Sequence, residues 1–507
     1  MPEGFWAQLV CISKYLRPIP ASGDQPHEGV LPGMASTDDP ANCLGLWYRV
    51  AAMAPSIGRR AVGACAIPLL FYTLGLSAFG GCATAPPAPG SRGLAAPVRE
   101  VLPNGMRLII QEHRAAAAVS IHLWTGVGGR DEAVGERGFS HFAEHMLFKG
   151  TETRPRGFVE RDVEAVGGRT NAATSNDYTF YYLLLPATRT VSGISLIADM
   201  VLNSVFDPAE LTRERDVVFE EFRRSEDSAG TSLGRQLYGL LYQGHPYGRP
   251  VLGDAGDLRG ATQATLRGYY KRHYVPENMA LVVVGPIDPA EVRAAAVTAF
   301  GAIPRAGYSR PALPAPVPLD GVRSRSVERP ERQAQLGLAW LAPPLGHPDM
   351  AVVDVLSHIL GGSRSSRLNQ ALREKARLVS GISGWYSALQ GAGAVGVTAQ
   401  LEGPDQEAVE RGILAEIRRI QTDGVTPEEL ARSITASEAQ REFSRETVEG
   451  LGLAYGRAET TWTLEAERAY LDLVRTVTGA QVQDAARRYL GDSYARLAFV
   501  PKAGAGR

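Results

Sequence analysis

Residues 118–150 read AVSIHLWTGVGGRDEAVGERGFSHFAEHMLFKG, a stretch that joins a strand pattern to a helix of unusual composition. The apolar run AVSIHLWTGVGG is typical of a buried β-strand, and a helix is predicted after it with Ser140 as its N-cap. This helix carries His141, Glu144 and His145. Positions i and i+4 lie one above the other on a helix, so the two imidazoles can bind one metal ion with Glu144 beside them. The order is H-x-x-E-H, the reverse of the commoner H-E-x-x-H.

The composition is that of an ordinary globular protein. The chain has 507 residues, 44% of them hydrophobic and 21% charged, a length that fits roughly two to four domains. The formal net charge of -1 gives no reason to expect a nucleic-acid partner. All cysteines lie in the first sixth of the chain, at Cys11, Cys43, Cys65 and Cys82. The part that follows therefore has neither a disulfide nor a cysteine metal site.

A targeting region precedes the folded part of the chain. Arg59-Arg60 come before the apolar run AVGACAIPLLFYTLGLSAFG, which is followed by Gly81-Cys82. A basic segment, an apolar core and small residues predict a signal peptide over residues 53–82, of the bacterial lipoprotein type with the lipid on Cys82. An uncleaved membrane anchor is the alternative, because about 20 apolar residues can span a bilayer. Residues 83–97 are predicted to form a flexible tether.

The residues before this signal are not expected to belong to the mature protein. Met53 begins MAPSIGRR, which is typical of the start of a signal peptide, whereas residues 1–52 show no sustained periodicity. We expect translation to begin at Met53 and residues 1–52 to be a non-native or disordered extension. Ala83, rather than Asp, follows Cys82 and favours the outer membrane. The expected product is an exported, membrane-anchored lipoprotein whose folded part faces the periplasm.

From about Val98 the pattern predicts an α+β protein with two homologous halves. Each half is expected to be an α/β sandwich of an antiparallel-rich sheet and helices, and REVLPNGMRLIIQEH begins the first with a hairpin. A Pro-rich stretch, residues 310–321, indicates the boundary. The predicted halves are residues 98–305, which bear the metal, and residues 326–502, with a linker over 306–325.

The second half repeats the plan of the first without its metal ligands. QAQLGLAWLAP, residues 333–343, matches the strand AVSIHLWTGVG, and ARLAFVP near the end matches MALVVVG, residues 279–285. MAVVDVLSHILGG stands where the H-x-x-E-H helix stood. Its His358 has Asp354 at i−4 and so lacks a ligand pair. We assign His358 no role.

A catalytic zinc site needs three protein ligands, and the third is expected from another element. The charged helix predicted from Pro208 to Glu226 offers Glu214, Glu220 and Glu221 in ERDVVFEEFRRSED. Such a run is usually a solvated helix face. Glu214 and Glu221 are spaced i, i+7 and share one face, whereas Glu220 points roughly a quarter-turn away and is predicted to lie at the surface.

The H-x-x-E-H run and the E-R-x-x-x-x-x-E helix together resemble the pitrilysin or insulinase family of zinc metallopeptidases. This family includes insulin-degrading enzyme and the mitochondrial processing peptidase, and the chain is similar to the bacterial branch near the latter. The resemblance spans nearly all of residues 98–502 and includes GGRTNAATSNDYTFYY, residues 167–182. It implies one Zn²⁺ bound by His141, His145 and Glu221, with Glu214 supporting the site. It also implies that Asn171 and Ala172 lie on an edge strand that pairs with substrate.

The resemblance implies a zinc endopeptidase that cleaves peptides or unfolded segments, with Glu144 taking the proton of the attacking water. Arg373 matches a substrate-binding arginine of the family, but Ser380 stands where its tyrosine partner is expected. Family members of this length form half of a clamshell chamber. We therefore expect a related partner subunit that supplies an Arg/Tyr pair, with a homodimer as the second choice. The alternatives are a non-catalytic family scaffold and a peptide-binding subunit of a membrane-associated complex.

Overall fold

The computed structural model describes residues 10–11 and 96–502, and it contains two mixed sheets covered by helices. The predicted signal peptide, the tether up to residue 95 and the remainder of the predicted extension lie outside these residues. Within the described part, no helix is long and apolar enough to cross a membrane. The architecture is α+β, as the sequence predicts.

The first sheet contains seven strands in the order β1-β5-β6-β4-β7-β3-β2. β3 and β7 pair in parallel, and the other neighbours are antiparallel. Asn104 and Gly105 turn the predicted hairpin, and Gly105 has a φ of +90°, which a side chain would disfavour. The strands are β1 Val10–Cys11, β2 Val98–Val101, β3 Arg107–Glu112, β4 Ala118–Thr125, β5 Arg169–Thr174, β6 Thr179–Pro186 and β7 Met279–Gly285.

Helices cover both faces of the first sheet, which explains why β7 is apolar at every position. On one face, Leu123 and Leu281 pack with Phe142 and Ile197 from two helices in a single core. The helices of this half are α1 Phe139–Met146, α2 Phe158–Glu164, α3 Thr190–Leu202, α4 Pro208–Asp227, α5 Ala229–Leu241, α6 Ala255–Gly260, α7 Gln263–His273 and α8 Pro289–Phe300.

The second sheet repeats the strand order of the first. Its order is β10-β11-β9-β12-β8, in which β12 and β8 pair in parallel as β7 and β3 do. Position by position this matches β5-β6-β4-β7-β3. The strands are β8 Arg323–Arg329, β9 Gln335–Ala342, β10 Val379–Ala388, β11 Gly393–Leu401 and β12 Ala495–Pro501. β8 thus begins inside the predicted linker, residues 306–325.

The helices of the second half also follow the plan of the first, since α9 comes after β9 as α1 comes after β4. A π-helical segment, Asn369–Lys375, precedes β10. The helices are α9 Met350–Gly361, α10 Gln406–Asp423, α11 Pro427–Arg445, α12 Val448–Thr461, α13 Leu464–Arg475 and α14 Gly479–Tyr489.

Helix α12 of the second half packs on the open face of the first sheet. Gly452 lies against His122, and Gly456 lies against the indole of Trp124, with no room for a side chain at either glycine. Leu451 and Tyr455 join Trp124 in a separate apolar cluster. The two halves are therefore joined through a packed interface and not by the linker alone.

Candidate metal centre

Helix α1 is short and wholly buried, and its first turn is held by a carboxylate from a residue shortly before the helix. All eight of its residues are buried. The backbone N–H groups of Gly138 and Ser140 donate to Glu132, at 2.7 and 2.8 Å. The prediction of Ser140 as N-cap is wrong, because Gly138 is the N-cap and the Ser140 hydroxyl instead bonds that of Tyr269 at 2.7 Å. Gly138 has a φ of +93°, which suits a glycine.

Helices α1 and α4 bring the three predicted metal ligands together. One donor atom from each of His141, His145 and Glu221 lies within 4.8 Å of the others. The Nε2 atoms of the two imidazoles are 3.2 Å apart. Glu221 Oε2 lies 3.3 Å from His141 Nε2 and 3.6 Å from His145 Nε2. All three donors converge on one point.

Glu214 holds the outer nitrogen of one imidazole, as predicted for a supporting carboxylate. Its Oε2 lies 3.1 Å from His145 Nδ1. Its Oε1 pairs with Lys149 Nζ at 2.8 Å. A hydrogen bond at Nδ1 fixes the ring orientation and leaves Nε2 free to bind a metal. Glu220 is 45% exposed on its side chain and pairs with Arg223, so its predicted surface position is confirmed.

Glu144 lies beside the ligands with one oxygen held and the other unengaged. The hydroxyl of Thr174, at the end of β5, donates to Glu144 Oε2. Glu144 Oε1 is buried and has no hydrogen-bond partner among the described residues. Burial, reinforced by the charge of Glu221, raises the pKa of Glu144 to about 8 against the effects of His145 and Thr174. The unengaged Oε1 is therefore the atom at which Glu144 could accept a proton from a neighbouring water.

The two histidines have different electrostatic surroundings. Burial and the neighbouring charge of His145 together lower the pKa of His141 to about 3, against the effect of Glu221. Burial acts in the same direction on His145, but the carboxylates of Glu214 and Glu221 outweigh it and raise its pKa to about 9. The same contacts lower the pKa of Glu221 despite its burial.

The unengaged atoms of this cluster fit a metal ion. Both carboxylate oxygens of Glu221 are buried and have no hydrogen-bond partner in the described part of the chain. A buried carboxylate without hydrogen bonds is costly, and a cation would satisfy it. Two imidazoles and one carboxylate form the donor set of many catalytic zinc sites. The residues present therefore fit Zn²⁺.

The predicted substrate-contacting residues divide between two places. Asn171 and Ala172 lie on β5. One edge of this strand pairs with β6, and the opposite edge pairs with β1. Arg373 lies in the π-helical segment of the second half. Among the described residues, it makes no hydrogen bond or salt bridge to His141, His145 or Glu221, the three residues called the metal cluster here. Ser380 lies on β10 and accepts a hydrogen bond from Gln333 at 2.6 Å. The first pair shares β5 with Thr174, whose hydroxyl donates to Glu144.

Sequence reasoning missed three residues that support the site. Thr174 follows the predicted Asn-Ala pair, and Lys149 follows His145 at i+4, so a search of both neighbourhoods would have found them. Glu132 gave no local signal, because its contacts are made to the backbone of Gly138 and Ser140.

Comparison with protein families gives two adjoining matches. The family model described as "Insulinase (Peptidase family M16)" matches residues 107–255. The model described as "Peptidase M16 inactive domain" matches residues 260–437. The first match contains every residue of the metal cluster, and the second begins after it.

Similar proteins carry protease names. An "uncharacterized zinc protease" of Mycobacterium tuberculosis is 33% identical over 348 residues, which are 66% of this chain and 77% of that protein. A zinc protease of Bacillus subtilis, also uncharacterised, is 29% identical over 65% of this chain and 80% of its own length.

Solved structures show the same fold. A protease from Helicobacter pylori has a TM-score of 0.77 at 23% identity, covering 80% of this chain and all of that one. The periplasmic protease PqqL from Escherichia coli has a TM-score of 0.67 at 21% identity, covering 80% of this chain but only 47% of PqqL. This chain therefore corresponds to about half of PqqL.

Proposed function

We propose that this chain, which belongs to the insulinase family of peptidases, family M16, is a zinc-dependent endopeptidase acting on peptides or unfolded segments. One observation carries the proposal. His141, His145 and Glu221 converge with their donor atoms within 4.8 Å, and the buried carboxylate of Glu144 lies beside them. The family match to residues 107–255 and the names of the relatives support it.

The residues at this site have different roles in the proposed reaction. His141, His145 and Glu221 would bind Zn²⁺, which lowers the pKa of water and polarises a peptide carbonyl. Glu144 accepts a proton from the water that attacks the carbonyl carbon, at the oxygen that Thr174 leaves free. It then returns this proton to the amide nitrogen as the C–N bond breaks. Glu214 keeps the ring of His145 in place throughout.

Strand β5 supplies the surface on which an extended peptide would lie. Val10–Cys11 pairs antiparallel with it, Val10 opposite Thr174 and Cys11 opposite Ala173. This edge therefore accepts a strand beside the residue that holds Glu144. Backbone pairing of this kind binds peptides with little dependence on sequence. Asn171 and Ala172 continue the same edge.

The test compares Glu144→Gln with Glu220→Gln, a matched change at the surface. Glu144→Gln should lower the rate of peptide hydrolysis about 10²–10⁴-fold while zinc content stays at one per chain, because the change removes the proton acceptor and no ligand. Glu220→Gln should alter neither. Zinc is measured by atomic emission and hydrolysis with quenched fluorescent peptides. Hydrolysis by Glu144→Gln at the unmodified rate would contradict the assignment.

We propose further that the active assembly contains a second subunit. Ser380 stands where the family resemblance implies a tyrosine, and Arg373 is not at the metal cluster. The coverage of about half of PqqL also supports a two-unit assembly. A related chain with an Arg/Tyr pair would complete the site, and a second copy of this chain is the other arrangement. Full activity of the purified chain as a monomer would contradict both.

We also propose that the chain is exported and anchored by a lipid at Cys82, with the folded part in the periplasm. The order of basic, apolar and small residues over residues 53–82 supports this. Labelled palmitate should be incorporated into the unmodified chain in cells and not into Cys82→Ser. Incorporation into both would contradict the anchor.

A further inference from the structure

The linker between the two halves is fixed on both sides of Arg310. Before it, the Tyr308 hydroxyl lies 3.1 Å from His273 Nδ1. After it, the carbonyl of Pro314 accepts a hydrogen bond from His245 Nε2 at 3.0 Å. The prolines of this stretch restrict its backbone further. Arg310 is therefore presented from an ordered segment of the chain.

The side chain of Arg310 binds two turns of the first half at once. Its Nε and Nη2 donate to the two carboxylate oxygens of Asp131, at 2.9 and 2.6 Å. Nη2 also donates to the backbone carbonyl of Asp177 at 2.8 Å, and Nη1 donates to Gln390 Oε1 of the second half at 3.0 Å. A guanidinium holds its donors in a rigid plane, so one side chain can fix several groups relative to each other.

Two arginines and two aspartates form this contact, and we call Arg130, Asp131, Asp177 and Arg310 the junction clamp. Arg130 Nη1 lies 3.2 Å from Asp177 Oδ1. The side chain of Arg310 is 15% exposed and those of the other three are 8% exposed or less. Burial opposes the charge of Arg310, but the hydrogen bonds and the charge of Asp131 outweigh it and raise the pKa of Arg310. Buried ion pairs of this kind tolerate the loss of one partner poorly.

The two turns held in this way lead to the residues beside the metal site. Asp131 comes directly before Glu132, which accepts the backbone N–H groups at the start of α1. Asp177 lies in the β5–β6 turn, three residues after Thr174. Glu144 lies on α1, and Thr174 is the last residue of β5. The hydrogen bond between these two side chains therefore depends on the relative position of the two turns.

The two turns are also in direct backbone contact. The N–H groups of Gly129 and Arg130 donate to the carbonyls of Ser175 and Asn176, both at 3.1 Å. A Cβ atom at Gly128 would collide with the carbonyl oxygen of Ser175, so this close approach requires glycine. The linker guanidinium thus fastens two turns that already touch, and through them the start of α1 and the end of β5.

The junction clamp lies where the two halves meet. It borders a cavity of about 300 Å³ between them, which Ser175 and Asp177 line from the first half and Arg441 of α11 lines from the second. The carboxylate of Asp177 accepts hydrogen bonds from the Tyr247 hydroxyl at 2.7 Å and from the backbone N–H of Gln390 at 3.0 Å. The end of β5 is therefore held by the linker and by the second half together.

We infer that Arg310 is a positioning residue of the peptidase site, which acts through the two turns to hold Thr174 against Glu144. The inference rests on the proposed peptidase function. The hydrogen bonds of the Arg310 side chain go to Asp131, Asp177 and Gln390, so its effect on Glu144 is indirect. The linker is in this way part of the scaffold of the site as well as a connection between the halves.

The test compares changes at Arg310 with the same changes at Arg305, which has 66% of its side chain exposed. Arg310→Gln should lower kcat about tenfold, the size of one hydrogen bond to a carboxylate, with KM changed by less than about twofold. Arg310→Lys keeps the charge and loses the planar fork, so it should fold normally and lower kcat about threefold. Zinc content should stay the same, because no ligand is altered. The Arg305 variants should change none of these quantities.

A double-variant cycle tests whether Arg310 acts through Thr174. In the Thr174→Val chain the supported hydrogen bond is already absent, so Arg310→Lys should lower kcat there by less than about 1.5-fold. An equal loss in both backgrounds would overturn the inference, and so would an unchanged kcat in the Arg310 variants. Arg310→Lys decides the outcome if Arg310→Gln fails to fold.

Amide hydrogen exchange separates this inference from the peptidase proposal. In the zinc-loaded Arg310→Lys chain, exchange should become faster over residues 126–146 and 169–179 and stay unchanged over β9 and α10. This pattern in a chain that hydrolyses no peptide would support the positioning by Arg310 and contradict the peptidase. Hydrolysis with unchanged exchange in both segments would overturn the positioning alone. Faster exchange over the whole chain would overturn it too, because it would show a general loss of stability.

Discussion

Helices α1 and α9 occupy the same place in two halves with the same strand order, yet they differ in chemistry. α1 carries His141, Glu144 and His145, all buried. α9 has Asp354 and His358 at the same spacing, and the Asp354 carboxylate is bound by the hydroxyl of Tyr470. The strand order of a half therefore does not by itself produce a metal site.

The difference lies in what the partner helix supplies. α4 presents Glu221 to both imidazoles and Glu214 to the outer nitrogen of one. α11 presents Arg441 toward a cavity instead. Two similar helix pairs thus differ in a few side chains, and among the described residues only the first pair brings metal-binding side chains together.

The largest expected difference in zinc content and hydrolysis is between variants that lack the equivalent histidine of one half or the other. His145→Ala should lower bound zinc from one per chain toward zero and reduce hydrolysis by at least about 10³-fold, because three ligands are required for a catalytic site. His358→Ala should change neither by more than about twofold, since half-buried side chains without ligand partners seldom affect a distant site. Zinc analysis and peptide hydrolysis measure both. Loss of zinc in His358→Ala would contradict the claim that only the first half binds the metal.

A second contrast concerns how the two helices begin. Glu132 accepts two backbone N–H groups at the start of α1, whereas Asp349 at the start of α9 makes no capping hydrogen bond with its side chain. Glu132→Ala should lower the free energy of unfolding by about 2–4 kcal/mol, because it leaves two buried donors unsatisfied. Urea unfolding of the zinc-free chain measures this. Glu407→Ala, with 82% of its side chain exposed, should change it by less than about 0.5 kcal/mol.

The sequence predicted the bounds of helices and strands well where residues at their own ends determine these bounds. α4 was expected from Pro208 to Glu226 and ends at Asp227, because Asp207 caps it and the proline follows at once. β7 was expected over residues 279–285 and has these bounds. The sequence also predicts a helix at His141 and His145, the position of α1, because their i, i+4 spacing is itself a local pattern.

Contacts that depend on how the chain folds around an element could not be predicted in this way. The start of α1 was assigned to Ser140 because a serine beside an apolar run is the usual signal, but a carboxylate from another turn performs the capping. Thr174 reaches Glu144 only after β5 packs beside α1. Glu467 likewise meets Arg441 and Arg457 only in the folded chain, because the three residues lie on three helices.

A change at Glu214 tests how much zinc binding by the histidines of α1 depends on this residue of α4. Glu214→Gln should weaken zinc binding about 10–100-fold, because an amide orients His145 less firmly and removes a charge. The matched Glu220→Gln on the same helix should not alter the affinity. Competition with a fluorescent chelator measures both constants. Equal affinities in the two variants would show that the imidazoles hold their position without Glu214.

Thr174 lies at the end of β5, where its hydroxyl donates to Glu144 and the next residue lines the cavity between the halves. Thr174→Val keeps the shape of the side chain and removes the hydroxyl. Loss of one hydrogen bond to a carboxylate should lower kcat about tenfold with KM nearly unchanged. Thr174→Ser should restore the rate. A rate for Thr174→Val equal to that of the unmodified chain would show that Glu144 acts without this hydrogen bond.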